Sequence, residues 1–181
     1  VNVLKTIVCS SLALIAGMVG AASPSPYVGE DSRDVKALGP QEISDYLSGK
    51  GLGLARAAEL NGYPGPTHVL ELAVELDLTA DQKAQTQALF SRMHERAIAL
   101  GEEFVREERV LDRLFATRTV TFANLSESLA RIGRLQGELR RVHLDAHVEQ
   151  SGLLTPRQIE EYRRLRGYGG AAGHDHGTHR P

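Results

Sequence analysis

The chain of 181 residues is long enough for one domain with appendages. Its formal net charge of -2 removes any global electrostatic case for nucleic-acid binding. With no tryptophan and only 5% aromatic residues, a core must be built from Leu, Ile, Val and Ala, and such cores are usually helical.

In chain order, Lys5 precedes the apolar run Ile7 to Ala16, and small residues follow at Gly17, Gly20, Ala21 and Ala22. This is the charged, apolar and small-residue order of a secretory signal, so residues 1–22 are predicted to be cleaved and the protein to reach the periplasm. The run is short for a membrane span, which needs roughly 20 apolar residues; membrane attachment is expected only if the segment stays uncleaved. Cys9, the one cysteine, lies inside this run. A cleaved chain therefore has no thiol chemistry, disulfide or cysteine-based zinc site.

Residues 23–66 read as a flexible leader with two short amphipathic pieces, Gln41–Leu47 and Leu52–Leu60. The stretch Gly49-Lys50-Gly51-Leu52-Gly53 lacks the first glycine of a phosphate loop and the Ser/Thr after its lysine, so it is set aside. Asn61-Gly62-Tyr63-Pro64-Gly65-Pro66 is a strong helix break. The helical domain follows over 67–168, and a histidine-rich tail predicted to be disordered occupies 169–181.

Within the domain a short helix is predicted over Thr67–Leu76, a long one over Ala80–Arg118, a second long one over Phe122–Gln150 ended by Gly152, and a last one over Pro156–Leu165. The first long helix carries Leu89, Met93, Ala97, Leu100, Phe104, Leu111 and Leu114 at three-and-four spacing. The second shows Phe122, Leu125, Leu129, Ile132, Leu135, Leu139, Val142 and Ala146 on one face. Thr117–Thr121 is short, so the two should fold back as an antiparallel hairpin about 55–60 Å long, with facing residue numbers summing to about 238. That register sets Glu107 opposite Arg131 and Gly101 opposite Gly137, the latter as a close backbone approach. A lone hairpin cannot enclose its own apolar faces; it needs the short helices, a second subunit or a client. The predicted fold is all-α: a long antiparallel hairpin with short flanking helices, forming a homodimer.

Leu78-Thr79-Ala80-Asp81-Gln82 and Leu154-Thr155-Pro156-Arg157-Gln158 are two copies of L-T-x-x-Q. Each reads as a capping box: Thr79 and Thr155 cap the helix, and Gln82 and Gln158 return to the cap amide. Pro156 suits the first helical position. Paired copies, one opening a long helix and one opening the last helix behind a signal segment, resemble the LTxxQ (Spy/CpxP-like) family of periplasmic stress proteins, with its zinc-resistance-associated and heavy-metal-sensor relatives. The resemblance covers roughly Thr67 to Tyr168. It implies a helical hairpin, often dimerised, and ATP-independent chaperone action on unfolded periplasmic proteins, or control of an envelope stress or metal response through a signalling partner.

His143 and His147 lie four apart on one helix face, and the hairpin register places His94 beside them. Three imidazoles would suit zinc, copper, nickel or cobalt, with Glu95 or water completing the shell; the bland alternative is three polar residues beside the core stripe. His174, His176 and His179 in the tail read either as a weak metal-capture segment or as inert. His68, at a helix start, reads as structural. Arg131, Arg134, Arg140, Arg141, Arg163, Arg164 and Arg166 enrich the C-terminal half in positive charge, balanced by acidic neighbours. With no Gly-x-Ser-x-Gly, no phosphate loop and no H-E-x-x-H, the sequence predicts a binding protein and not an enzyme.

Overall fold

The computed structural model describes residues 23–168; the predicted signal segment with Cys9, and the tail with His174, His176 and His179, lie outside them. Among the described residues there are helices and turns and no strand. A single 3-10 turn, Glu30–Ser32, is followed by α1 (Pro40–Leu47), α2 (Arg56–Glu59), α3 (Pro66–Glu71), α4 (Ala80–Ala116), α5 (Phe122–Leu153) and α6 (Pro156–Leu165). No described helix is long and apolar enough to cross a membrane.

α4 and α5 form the expected hairpin. Thr121 caps α5 with a third reciprocal box, its hydroxyl accepting from the Asn124 amide while Asn124 returns to Thr121. Arg118 takes a left-handed conformation in the turn (φ 57°). The predicted register holds: Arg131 lies 3.7 Å from Glu107, and further along Arg92 pairs with Glu149 and Gln150 donates to Thr86. Gly152 does not end α5, which runs through it to Leu153. The Arg-rich face is largely ion-paired, through Arg131–Glu127, Arg134–Glu138, Arg141–Asp145 and Arg164–Glu161.

The hairpin is not left bare. The described residues from Ser32 to Tyr168 belong to one compact unit, so the expected leader ending at residue 66 is, over 32–66, part of the fold. Val35 is fully buried and Leu38 nearly so, both in the cluster with Leu100, Phe104, Val105, Ile132, Leu135 and Leu139. Sequence reading missed these two because isolated apolar residues in a polar stretch carry no periodicity. Asp34 and Lys36 flank Val35 and bind Arg109 and Asp112 of α4.

α1 lies against α4 at Gly101. A methyl group on Gly101 would stand 2.2 Å from the Tyr46 carbonyl oxygen, so only glycine admits α1 there. The expected partner, Gly137, has open space around it; the close approach exists, but to the N-terminal cover and not to α5. The Tyr46 ring then packs on Phe104, with centroids 4.6 Å apart. Glu108 is also buried here, and desolvation raises its carboxyl above the ordinary value.

Cover fails at the hairpin end. Phe122 is 95% exposed and Leu129 about half, although both sit on the predicted apolar stripe; Val110 and Phe115 are exposed beside them. Toward that end the cover is tied down by the Asp34–Arg109 and Lys36–Asp112 pairs.

A second cluster, Val69, Leu76, Leu154 and Tyr162, joins α3, the chain before α4, and α6. The two L-T-x-x-Q copies interlock above it. Both capping boxes form as predicted. In addition, the Gln82 and Gln158 amides exchange hydrogen bonds at 2.9 and 3.0 Å, Gln82 donates to the Leu153 carbonyl, and Gln158 donates to the Leu76 carbonyl. The motif glutamines therefore tie two helix starts together as well as capping each. Thr155→Ala should cost about 1 kcal/mol, the usual loss for an N-cap. Gln158→Ala should cost more, about 2–3 kcal/mol, because it also strands the Leu76 carbonyl and the Gln82 amide. Urea denaturation measures both, and equal midpoints for the two variants would show that the interlock contributes nothing.

Candidate functional site

Between the two apolar clusters the hairpin and its cover line a half-open cavity of about 740 Å³. α4 supplies Phe90, Met93 and His94; α5 supplies His143, Ala146 and His147. The facing wall is Ser48 to Gly53, followed by Glu59, Leu60 and Gly65 to His68. The three histidines singled out from helix spacing and register thus line one cavity. Glu95, expected to complete their set, is exposed and lies off the wall; the carboxylate present is Glu59.

Each imidazole packs against a glycine of the cover. A Cβ on Gly49 would stand 3.1 Å from His94 Nδ1, and one on Gly51 would stand 3.9 Å from His143 Nδ1. At Gly65 a Cβ would lie 2.9 Å from His147 Nε2, so a side chain there would displace the ring. The glycine-rich stretch discarded as a phosphate loop is the cover's contact with the histidines. Its signal in the sequence was the density of glycines, which marks close backbone approach without saying to what.

His147 Nδ1 lies 2.7 Å from the Tyr63 carbonyl oxygen. A carbonyl only accepts, so Nδ1 carries the proton, and in the neutral ring Nε2 holds the lone pair. Glu59 Oε2 is 3.7 Å from the same Nδ1. His143 is 6% exposed, and its Nε2 has no hydrogen-bond partner among the described residues. Burial pushes the His143 imidazole below its ordinary pKa, and the nearby imidazoles of His147 and His94 push the same way. The ring is thus held neutral, with a nitrogen available.

Glu59 is itself placed by other groups. Its Oε1 accepts from the Tyr162 hydroxyl at 2.6 Å and lies 3.4 Å from Arg166 Nε, while Oε2 is buried with no hydrogen-bond partner among the described residues. Sequence reasoning missed Glu59 because it lies in a four-residue helix with no repeat to set its direction. His68, set aside as structural, also lines the cavity and pairs with Glu71 at 2.8 Å.

The donors are the right kind for a transition metal: imidazoles and a carboxylate. They do not form a finished cage, since among the described residues no three His, Asp or Glu side chains already stand together as an ion requires. The orphaned nitrogen of His143 and the lone-pair nitrogen of His147 belong to side chains one helical turn apart on α5.

Compared with known proteins, the chain matches no family model, and no curated protein or solved structure is significantly similar to it.

The pKa of His143 sets an acid limit on the fold. Its folded value lies below the unfolded one, near 6.5, so its contribution is complete above about pH 6.5. As pH falls through that value the unfolded chain takes the proton first, and stability declines. Urea midpoints measured across about pH 7 to 5 should fall in the wild type and fall less in His143→Gln. Parallel curves would contradict a buried neutral imidazole.

Proposed function

We propose that this chain is an exported, non-catalytic periplasmic protein that binds a divalent transition-metal ion such as zinc in the cavity of His94, His143 and His147, as a sensor or buffer of an envelope metal response. The observation that carries this reading is the buried, neutral His143 with its unpartnered Nε2, in a cavity also lined by His147 and His94. Leaving such a nitrogen unpaired costs on the order of 1–3 kcal/mol, which an ion would relieve. Zinc and its neighbours favour this imidazole and carboxylate set over calcium or magnesium. A bound ion supplies a double positive charge that pins α5 to the cover, a structural signal for an envelope signalling partner to read.

A second reading, an ATP-independent chaperone-like stress protein, has its own observation. Val110, Phe115, Phe122 and Leu129 crowd exposed apolar surface at the hairpin end, where an unfolded client could dock or a second copy could form the expected homodimer. Further along the hairpin the buried clusters of the cover take up much of its apolar surface, so this reading rests chiefly on the end.

Calorimetric titration of zinc, nickel, cobalt and copper separates the sites. A full chain with His174, His176 and His179 changed to Ala should still bind one ion, and His143→Ala or His147→Ala should abolish most of that binding. Affinity should fall as the solution is acidified, because protons compete with the ion for the ligating nitrogens. If the tail variant binds no metal while the helical histidines are intact, the cavity is not a metal site. Aggregation suppression with and without chelator on the same samples reports on the chaperone reading.

A further inference from the structure

We propose that the cavity between the hairpin and its cover binds a small monocarboxylic acid with an apolar body, the body lying against the hairpin wall and the carboxylate at the mouth beside Arg56. The inference does not rest on the metal reading above.

Size is the first observation. The cavity of about 740 Å³ falls within the range of roughly 300–1,000 Å³ typical of small-molecule sites. The second is the wall. Phe90, Met93 and Ala146 form its hairpin side, and Leu52, Leu60 and Pro66 face them from the cover. Leu60 is 59% exposed and Leu52 39%, so apolar side chains at the opening meet water, which an apolar guest would displace. His143 does not oppose such a guest, because burial holds its ring uncharged. Leu52 also keeps a left-handed backbone (φ 45°) that a leucine rarely adopts, between Gly49 and Gly53, which are left-handed as well (φ 64° and 74°). Backbone strain of this kind clusters where loops hold ligands.

Charge decides the class of guest. Two cations line the cavity, Lys50 and Arg56, against one carboxylate, Glu59. Lys50 is engaged by Asp45 at 2.7 Å. Glu59 is turned inward, with one oxygen on the Tyr162 hydroxyl at 2.6 Å and the other buried. Arg56 is exposed, lies over Gly53, and has no ion pair among the described residues. Its planar fork matches a carboxylate. One open guanidinium suits one negative charge. A cationic head would meet Arg56 and Lys50 with no accessible carboxylate to receive it.

The test titrates sodium decanoate into the full chain by calorimetry, with EDTA throughout so that no metal contributes. Decan-1-ol and decylamine present the same chain with a neutral and a cationic head. Decanoate should bind one per chain, more tightly than either. Arg56→Ala should weaken decanoate by up to about fivefold, the scale of an exposed ion pair, and leave decan-1-ol unchanged. Leu60→Asp, at an exposed position, removes apolar wall and adds a like charge; it should weaken decanoate at least about tenfold. Phe122→Ser, at the exposed hairpin end, should bind as the wild type does. Amide exchange in the wild type should slow with decanoate over residues 48–68 and not over 110–129, a readout that depends on no variant folding. Absence of decanoate binding overturns the proposal. So does decan-1-ol or decylamine binding as tightly as decanoate, which would mark a merely apolar surface. Protection at 110–129, or lost binding in Phe122→Ser, overturns it by moving the site to the hairpin end. With metal excluded, each of these outcomes leaves the metal reading to its own titration.

Discussion

The architecture depends on one backbone contact: the end of α1 resting on the bare α-carbon of Gly101. Two long helices joined by a short turn bury only one stripe each and leave grooves on either side of their seam. Here the groove beside α4 is filled by Val35, Leu38 and Tyr46, and the carbonyl of Tyr46 approaches where any Cβ would collide. Because α1 is seated there, the chain that leaves it must pass over His94, and Gly49 and Gly51 let it do so at contact distance. A helix contact well away from the histidines therefore decides that a cavity exists over them.

The second fixed point is the interlocked pair of L-T-x-x-Q motifs. Each glutamine returns to its own cap, and each also reaches the other motif. The start of α4 and the start of α6 are thus held side by side, with Leu76, Leu154 and Tyr162 packed beneath them. The cavity opens between these two anchored regions, where the apolar clusters separate. Its histidines and Glu59 bring polar groups into an otherwise apolar interior, and two of their atoms have no hydrogen bond among the described residues. Buried polar atoms are ordinarily satisfied, which is why this cavity and not the charged helix faces is where binding is expected.

Much of the frame was legible because its signals are periodic. Leu89, Ala97, Leu100, Phe104, Ile132, Leu135 and Leu139 are buried as their three-and-four spacing requires, and the short Thr117–Thr121 link fixed a register that places Arg131 by Glu107. The same register brought His94 to His143 and His147. Periodicity failed where a third element decides burial. Phe122 and Leu129 lie on the stripe but beyond the cover's reach, whereas Val35 and Leu38 lie on no stripe and are buried by it. Gly101 showed that a close approach was needed without naming its partner. Glu59 and Tyr162 could not be joined from sequence at all, since a contact spanning 103 residues between two short helices leaves no local trace.

Amide exchange on Gly101→Val tests the dependence on that single contact most directly. The valine side chain cannot coexist with the Tyr46 carbonyl, so residues 40–66 should lose protection while α5, held by its own pairing with α4, keeps most of its own. Wild-type protection across residues 40–66 in this variant would contradict the account, because the cover, and the histidine cavity beneath it, would then be held in place by something other than α1 on Gly101.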